Sequence, residues 1–145
     1  MRMKKLLPQA NNLDTLIRVF VYVSIMDGCS LADIASFCNF EQRQASYYLN
    51  ACYYLDLVDE HGKITDFGHL IIDKYDVPQP AIYERIITDD IIGKIFSHML
   101  LFPNDDQSLY AINLLTPLYP EYGDAVIKRR ASTLKSWCEE IIKTI

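Results

Sequence analysis

The sequence predicts a mostly α-helical protein in two parts: three helices with a small β-hairpin first, then a second unit built from helices alone. Three observations predict it. Apolar residues recur at three- and four-residue spacing along most of the chain, the pattern of helices that bury one face. "LVDEHGKITDFG" (Leu57 to Gly68) departs from that spacing, with two short apolar runs on either side of a charged turn containing Gly62. That is the pattern of a hairpin. Pro78 and Pro80 then disfavour helix at the residues before them, which sets two domains at 1–76 and 77–145.

The elements follow in order. From Asn12 to Met26, Leu13, Leu16, Ile17, Phe20, Val23 and Ile25 keep helical spacing, and Asp27-Gly28 is the stop. Ser30 and Asp33, three apart, open a short helix with a capping-box pattern, and Leu31, Ile34 and Ala35 form its buried face. Asn39 tolerates the left-handed backbone that ends it. A longer helix is expected from Glu41 to Leu55, with Ala45, Leu49 and Cys52 inward and Tyr48 and Leu55 flanking them. The hairpin comes next, then a closing helix from Asp66 to Tyr75 with Phe67, Leu70 and Ile71 turned inward. In the second part, Thr88 is placed to cap "DDIIGKIFSHMLL", and Asn104 with Gln107 to cap "NDDQSLYAINLLTPLY". A long last helix follows Gly123, with Ala125, Ile127, Leu134, Trp137, Ile141 and Ile142 apolar.

Short helix, turn, longer helix and hairpin is the order of a winged helix-turn-helix. "LADIASFCNFEQRQASYYLNACYYLDLV" resembles that family in its leucine, its buried Ala35, its turn residue Asn39, and its apolar Phe40, Ala45, Leu49 and Cys52. It also ends in "LV" after Asp56, where family members commonly carry Gly. A second resemblance lies in "VIKRRASTLKSWCEEI". It looks like the terminal helix of a helix-turn-helix unit in accessory regions of restriction-modification and related ATPase proteins. There an Arg-Arg, Thr and Trp recur, matched by Arg129, Arg130, Thr133 and Trp137. The first unit of that family also carries a phrase matched by Arg43, Gln44, Tyr47, Tyr48, Tyr54 and Leu55. The resemblance implies a tandem helix-turn-helix module rather than a catalyst, with a restriction-type or ATPase assembly as a partner.

Charge argues the other way. The net charge is −5, with 7 Lys+Arg against 10 Asp+Glu before Val77 and 7 against 9 from there on. Phosphate contacts supply most nucleic-acid affinity, so a DNA-binding role has to rest on local patches. On a helix from Glu41 the core stripe leaves Gln42, Arg43, Ser46, Tyr47 and Asn50 on the other side. Arg donates two hydrogen bonds to guanine, Gln and Asn pair with adenine, and hydroxyls reach phosphate. The plainer alternative is a solvated polar face. Lys128, Arg129 and Arg130 form the only dense basic cluster, a phosphate clamp with Thr133 beside it, or else a set of ion pairs with Glu121 and Asp124. His61 and Lys63 in the turn are wing contacts or a solvated turn.

Catalytic readings find little support. The five glycines are scattered singly, and His61, His69 and His98 lack the spacing of a helical metal pair. No nucleophile carries a local signature, and the four cysteines lack zinc-site spacing, with Cys38 and Cys52 expected as reduced core thiols. Pro8 ends the first apolar run too early for a signal peptide, and no segment approaches a membrane span. The expectation is therefore a cytoplasmic, non-enzymatic module that binds double-stranded DNA, without cofactor or metal, as a homodimer, either a transcription regulator or the recognition part of a restriction-type system. The alternative is a protein-interaction or dimerisation module on the same fold, which the acidic, tyrosine-rich composition favours.

Overall fold

Eight α-helices make up the regular structure of the computed structural model, which describes residues 4–26, 28–74 and 76–145. They are α1 (Leu13–Ile25), α2 (Leu31–Cys38), α3 (Gln42–Tyr54), α4 (Asp66–Lys74), α5 (Gln79–Ile87), α6 (Ile92–Leu101), α7 (Gln107–Leu118) and α8 (Asp124–Ile142). The expected helix stop at Asp27 and helix end at Tyr75 lie outside the described residues. No described helix is long and apolar enough to cross a membrane.

The chain divides into two compact units, one up to Ile82 and one from Tyr83 to Ile145. The division falls inside α5 rather than at the Pro78–Pro80 break. Both prolines are compatible with a helix there. Pro78 precedes α5 and Pro80 is its second residue, where a missing N–H breaks no intrahelical bond.

The first unit is held by local signals at each helix end. Asn12 caps α1 through its side chain, which accepts from Thr15 N–H. Ser30 and Asp33 form the full capping box on α2, at 3.1 and 2.9 Å. Asn39 adopts the left-handed conformation (φ 58°), and Phe40 N–H reaches back to Ala35 O to close the end of α2. Leu16, Val19 and Phe20 of α1, Ile34 of α2 and Ala45, Ala51 and Cys52 of α3 fill the core. Leu7, Pro8 and Ala10, ahead of α1, are buried too. Of the residues expected to face inward on α4, Ile71 does and Phe67 is half-buried, but Leu70 is exposed, and Gly68 takes the second buried position.

The expected β-hairpin wing is absent among the described residues, which contain no β-strand. Val58 and Ile64 form a single isolated antiparallel bridge. The reason is length. Asp59 Oδ1 accepts from His61 N–H (2.8 Å) and Lys63 N–H (3.0 Å), and this closes the turn after one bridge. Thr65 Oγ1 then accepts from Gly68 N–H and starts α4. Leu57 N–H goes back to Cys52 O at the end of α3 instead of across a ladder. Only two cross-turn backbone bonds flank the bridge, Asp59 N–H to Lys63 O (2.8 Å) and Thr65 N–H to Leu57 O (3.2 Å), so no strand forms, the described fold is all-helical and the winged architecture does not hold.

In the second unit, α6, α7 and α8 enclose Ile92, Ile95, Ala111, Leu115, Leu134 and Trp137. The caps differ from those expected. Asp89, not Thr88, accepts from Ile91 and Ile92 N–H at the start of α6, while Thr88 Oγ1 donates back to Glu84 O. Asp89 is buried and pairs with Arg85 one turn earlier (3.3 Å). Asp106 caps α7 in place of Asn104. Gln107 instead bridges Phe102 O and His98 Nδ1, each at 2.7 Å, and His98 stacks on Tyr110 (3.8 Å between centroids). On α8, Ala125 is exposed and Ile142 half-buried, and Ala131 and Cys138 join the buried face.

Candidate nucleic-acid interface

The helix pair α2–α3 is joined by residues 39–41, a turn made short by the left-handed Asn39. Packing fixes the orientation of α3. Ala45, Tyr48, Ala51, Cys52 and Tyr54 are buried, which is a wider stripe than the sequence suggests. Tyr48 is anchored at both ends, by stacking on Phe40 (5.8 Å, 9°) and by its hydroxyl, which accepts from Asn12 N–H at 3.3 Å. Leu49, expected in the core, is half-buried, with its methyls against Gly62 in the Asp59–Lys63 turn.

With that stripe inward, Gln42, Arg43 and Asn50 are exposed, and Ser46 and Tyr47 are half-buried. The five expected groove-contact residues thus lie off the buried stripe of one helix. The Arg43 guanidinium lies 5.8 Å from the Tyr47 ring centroid, one turn along. At that distance the ring face steadies the cation without removing its donors from solvent. Gln42 to Tyr54 contains no acidic residue, in a chain of net charge −5. Glu41 stands just outside, at the N-cap position, and makes no side-chain cap bond.

The basic triplet is placed less favourably. The unpaired N–H groups of α8 belong to its first turn, which begins with Asp124. Lys128, Arg129 and Arg130 come after that turn, where the helix dipole has faded. Lys128 and Arg129 are exposed. Arg130 is half-buried, with its guanidinium 5.8 Å from the Tyr122 ring centroid and its Nε buried without a hydrogen-bond partner among the described residues. Thr133 is 4% exposed, and its hydroxyl donates to Arg129 O (3.1 Å), so it packs inside the unit beside the fully buried Trp137. Lys63 is exposed on the tight turn. The Arg-Arg, Thr, Trp phrase is therefore half surface and half core.

The four cysteines are free thiols. Burial pushes Cys52 and Cys138 up to about 12, which makes both inert packing groups. Cys38 is half-buried rather than core. No group of three or more His, Cys, Asp or Glu side chains converges to hold a metal ion among the described residues.

These features define an all-helical protein of two units with a solvent-facing polar helix in the first. Residues 16–145 match the family described as a domain of unknown function (DUF7226), and the chain belongs to that family. No curated protein and no solved structure matches the chain.

Proposed function

We propose that the protein is a DNA-binding module that lays α3 in a major groove. One observation carries this reading: the acid-free helix α3 buries Ala45, Tyr48, Ala51 and Cys52 and turns Gln42, Arg43, Ser46, Tyr47 and Asn50 outward. These side chains can pair with base edges or phosphates, and they start at the helix N-terminus, the end that a helix-turn-helix presents to bases. Arg43 is the guanine reader, and Gln42 and Asn50 are adenine partners. Lys128 and Arg129 supply phosphate contacts that carry no sequence information. The protein acts as a homodimer, since paired modules read paired half-sites. The sequence resemblance to accessory regions of restriction-type and ATPase proteins supports a role inside such an assembly.

The test is fluorescence anisotropy with a mixed pool of labelled duplexes, at low and near-physiological salt. The expected result is salt-sensitive binding that a Lys128→Ala, Arg129→Ala double variant weakens for every sequence. No binding even at low salt ends this reading for the isolated protein.

A second reading, a protein-interaction module, is favoured by an apolar surface where α6 runs into α7. Leu100, Leu101 (72% exposed), Phe102 and Leu109 all face solvent there. Large exposed apolar groups that form one contiguous patch mark interaction surfaces in soluble proteins. In this reading the chain has no nucleic-acid affinity, and the anisotropy experiment separates the two.

A further inference from the structure

Helix α1 has two apolar faces, and only one of them is buried. Leu13, Leu16, Phe20 and Val23 point into the core. Ile17, Val21 and Ile25 follow one another at four-residue spacing on a different side, and they line a groove of about 440 Å³ within the first unit. That volume lies in the range of small-molecule sites. Phe37 of α2 forms a wall of it and stacks on Tyr22 of α1 (4.3 Å between centroids, 25°), while Pro78 borders it.

One residue of the lining, Arg18, carries a charge, and it meets the groove itself through apolar atoms. Arg18 holds its guanidinium 5.5 Å from the Phe37 ring centroid and makes no ion pair among the described residues. Asp33, the acid of α2, is engaged in the capping box with Ser30. A groove with wholly apolar walls and an aromatic pair, beside a guanidinium that has no ion pair among the described residues, selects a ligand of matching make-up.

We propose that this groove binds a small amphipathic carboxylate, with the apolar body along Ile17, Val21 and Phe37 and the carboxylate on Arg18. The guanidinium fork matches a carboxylate with two parallel hydrogen bonds. A bound ligand touches α1 and α2 together and so bridges them. The site is distinct from the outer face of α3 and does not rest on the DNA-binding reading.

The experiment is calorimetric titration of the full chain with decanoate, kept below its micelle concentration, alongside decanol and decylamine as neutral and cationic probes of equal chain length. Arg18→Met and the groove-filling Val21→Trp are titrated in parallel, with circular dichroism to establish that each is folded. Wild type is expected to bind decanoate more tightly than decanol and decylamine. Arg18→Met is expected to weaken decanoate by about tenfold while leaving decanol nearly unchanged. Val21→Trp is expected to remove binding of all three. No decanoate binding by wild type overturns the proposal, as does equal affinity for decylamine. Unchanged decanoate affinity in folded Arg18→Met also overturns it, and Arg18 is exposed enough for that variant to keep its fold.

Discussion

Lys5 Nζ lies 2.7 Å from Asp56 Oδ1 and 2.6 Å from Tyr53 O, and 4.0 Å from the Tyr53 ring centroid. Asp56 is in the left-handed region (φ 63°), a conformation that Gly adopts at the least cost. Left-handed backbone costs an L-residue about 1–2 kcal/mol, less for Asp, and a partly exposed ion pair returns about 0–1 kcal/mol. The two effects nearly cancel. Asp56→Gly is therefore expected to change unfolding free energy by less than about 1 kcal/mol, whereas β-branched Asp56→Val is expected to cost about 2 kcal/mol or more. Urea denaturation of both variants checks this, and equal costs would show that the backbone conformation is not what matters.

Gly68 reverses the usual sign of a helix substitution. Replacing Gly by Ala inside a helix normally stabilises, by about 0.4–1 kcal/mol. A Cβ at Gly68, however, would overlap Leu57 O and crowd Ile64 Cγ2 (3.1 Å) and Phe20 Cε1 (3.3 Å). Gly68→Ala is expected to destabilise by about 1–3 kcal/mol, the range for overpacking. Thermal denaturation decides it; a rise in Tm would mean that α4 sits farther from the Leu57 carbonyl.

The Asp59 turn should be sensitive to acid. Its carboxyl is held below the usual value chiefly by Lys63 N–H, with burial opposing and His61 N–H adding to the lowering. A group whose folded value is depressed stabilises the protein above its unfolded value, and that contribution is lost as pH falls through the folded one. Asp59→Asn is thus expected to be less stable than wild type at pH 7, with the gap closing below about pH 4. A gap that stays constant across this range would show that charge plays no part in the turn.

Arg130 is the member of the basic triplet with a structural liability. Its buried Nε has no acceptor among the described residues, an arrangement that typically costs about 1–3 kcal/mol. Arg130→Met keeps the stem and removes the donor. It is expected to leave stability unchanged or raise it by about 1 kcal/mol, and a marked loss would indicate a partner for that nitrogen.

Sequence and structure agree where signals are local. Ser30, Asp33 and Asn39 define both ends of α2 within a few residues, so the turn into α3 could be read directly. Leu57, Val58 and Ile64 misled because a short strand and a buried tight turn present the same apolar pattern. The Asp59 carboxylate and the Thr65 hydroxyl close the turn and open α4 directly beside the single bridge, which leaves the pairing too short to be a strand. The α6 cap moved from Thr88 to Asp89 because either residue type fits that role, and only the neighbouring Arg85 distinguishes them. On α8, Thr133 and Arg130 read as polar surface. Their burial was signalled by spacing, since Arg130 stands three residues after Ile127 and four before Leu134, and Thr133 four before Trp137, but their polar side chains masked that signal. On α3, Ala45 and Cys52 marked the inward side, whereas Leu49, expected in the core, is half-buried and Tyr48, expected to flank it, is buried.

The most direct test of the central claim maps backbone amide chemical shifts of the labelled protein as an unlabelled duplex is added, for wild type and Arg43→Ala. The account expects the largest changes at Gln42, Arg43, Ser46, Tyr47 and Asn50, and expects Arg43→Ala to lose about 1–3 kcal/mol on preferred sequences only. Shifts centred elsewhere, or an Arg43→Ala loss that is the same for every sequence, would contradict α3 as the reading helix.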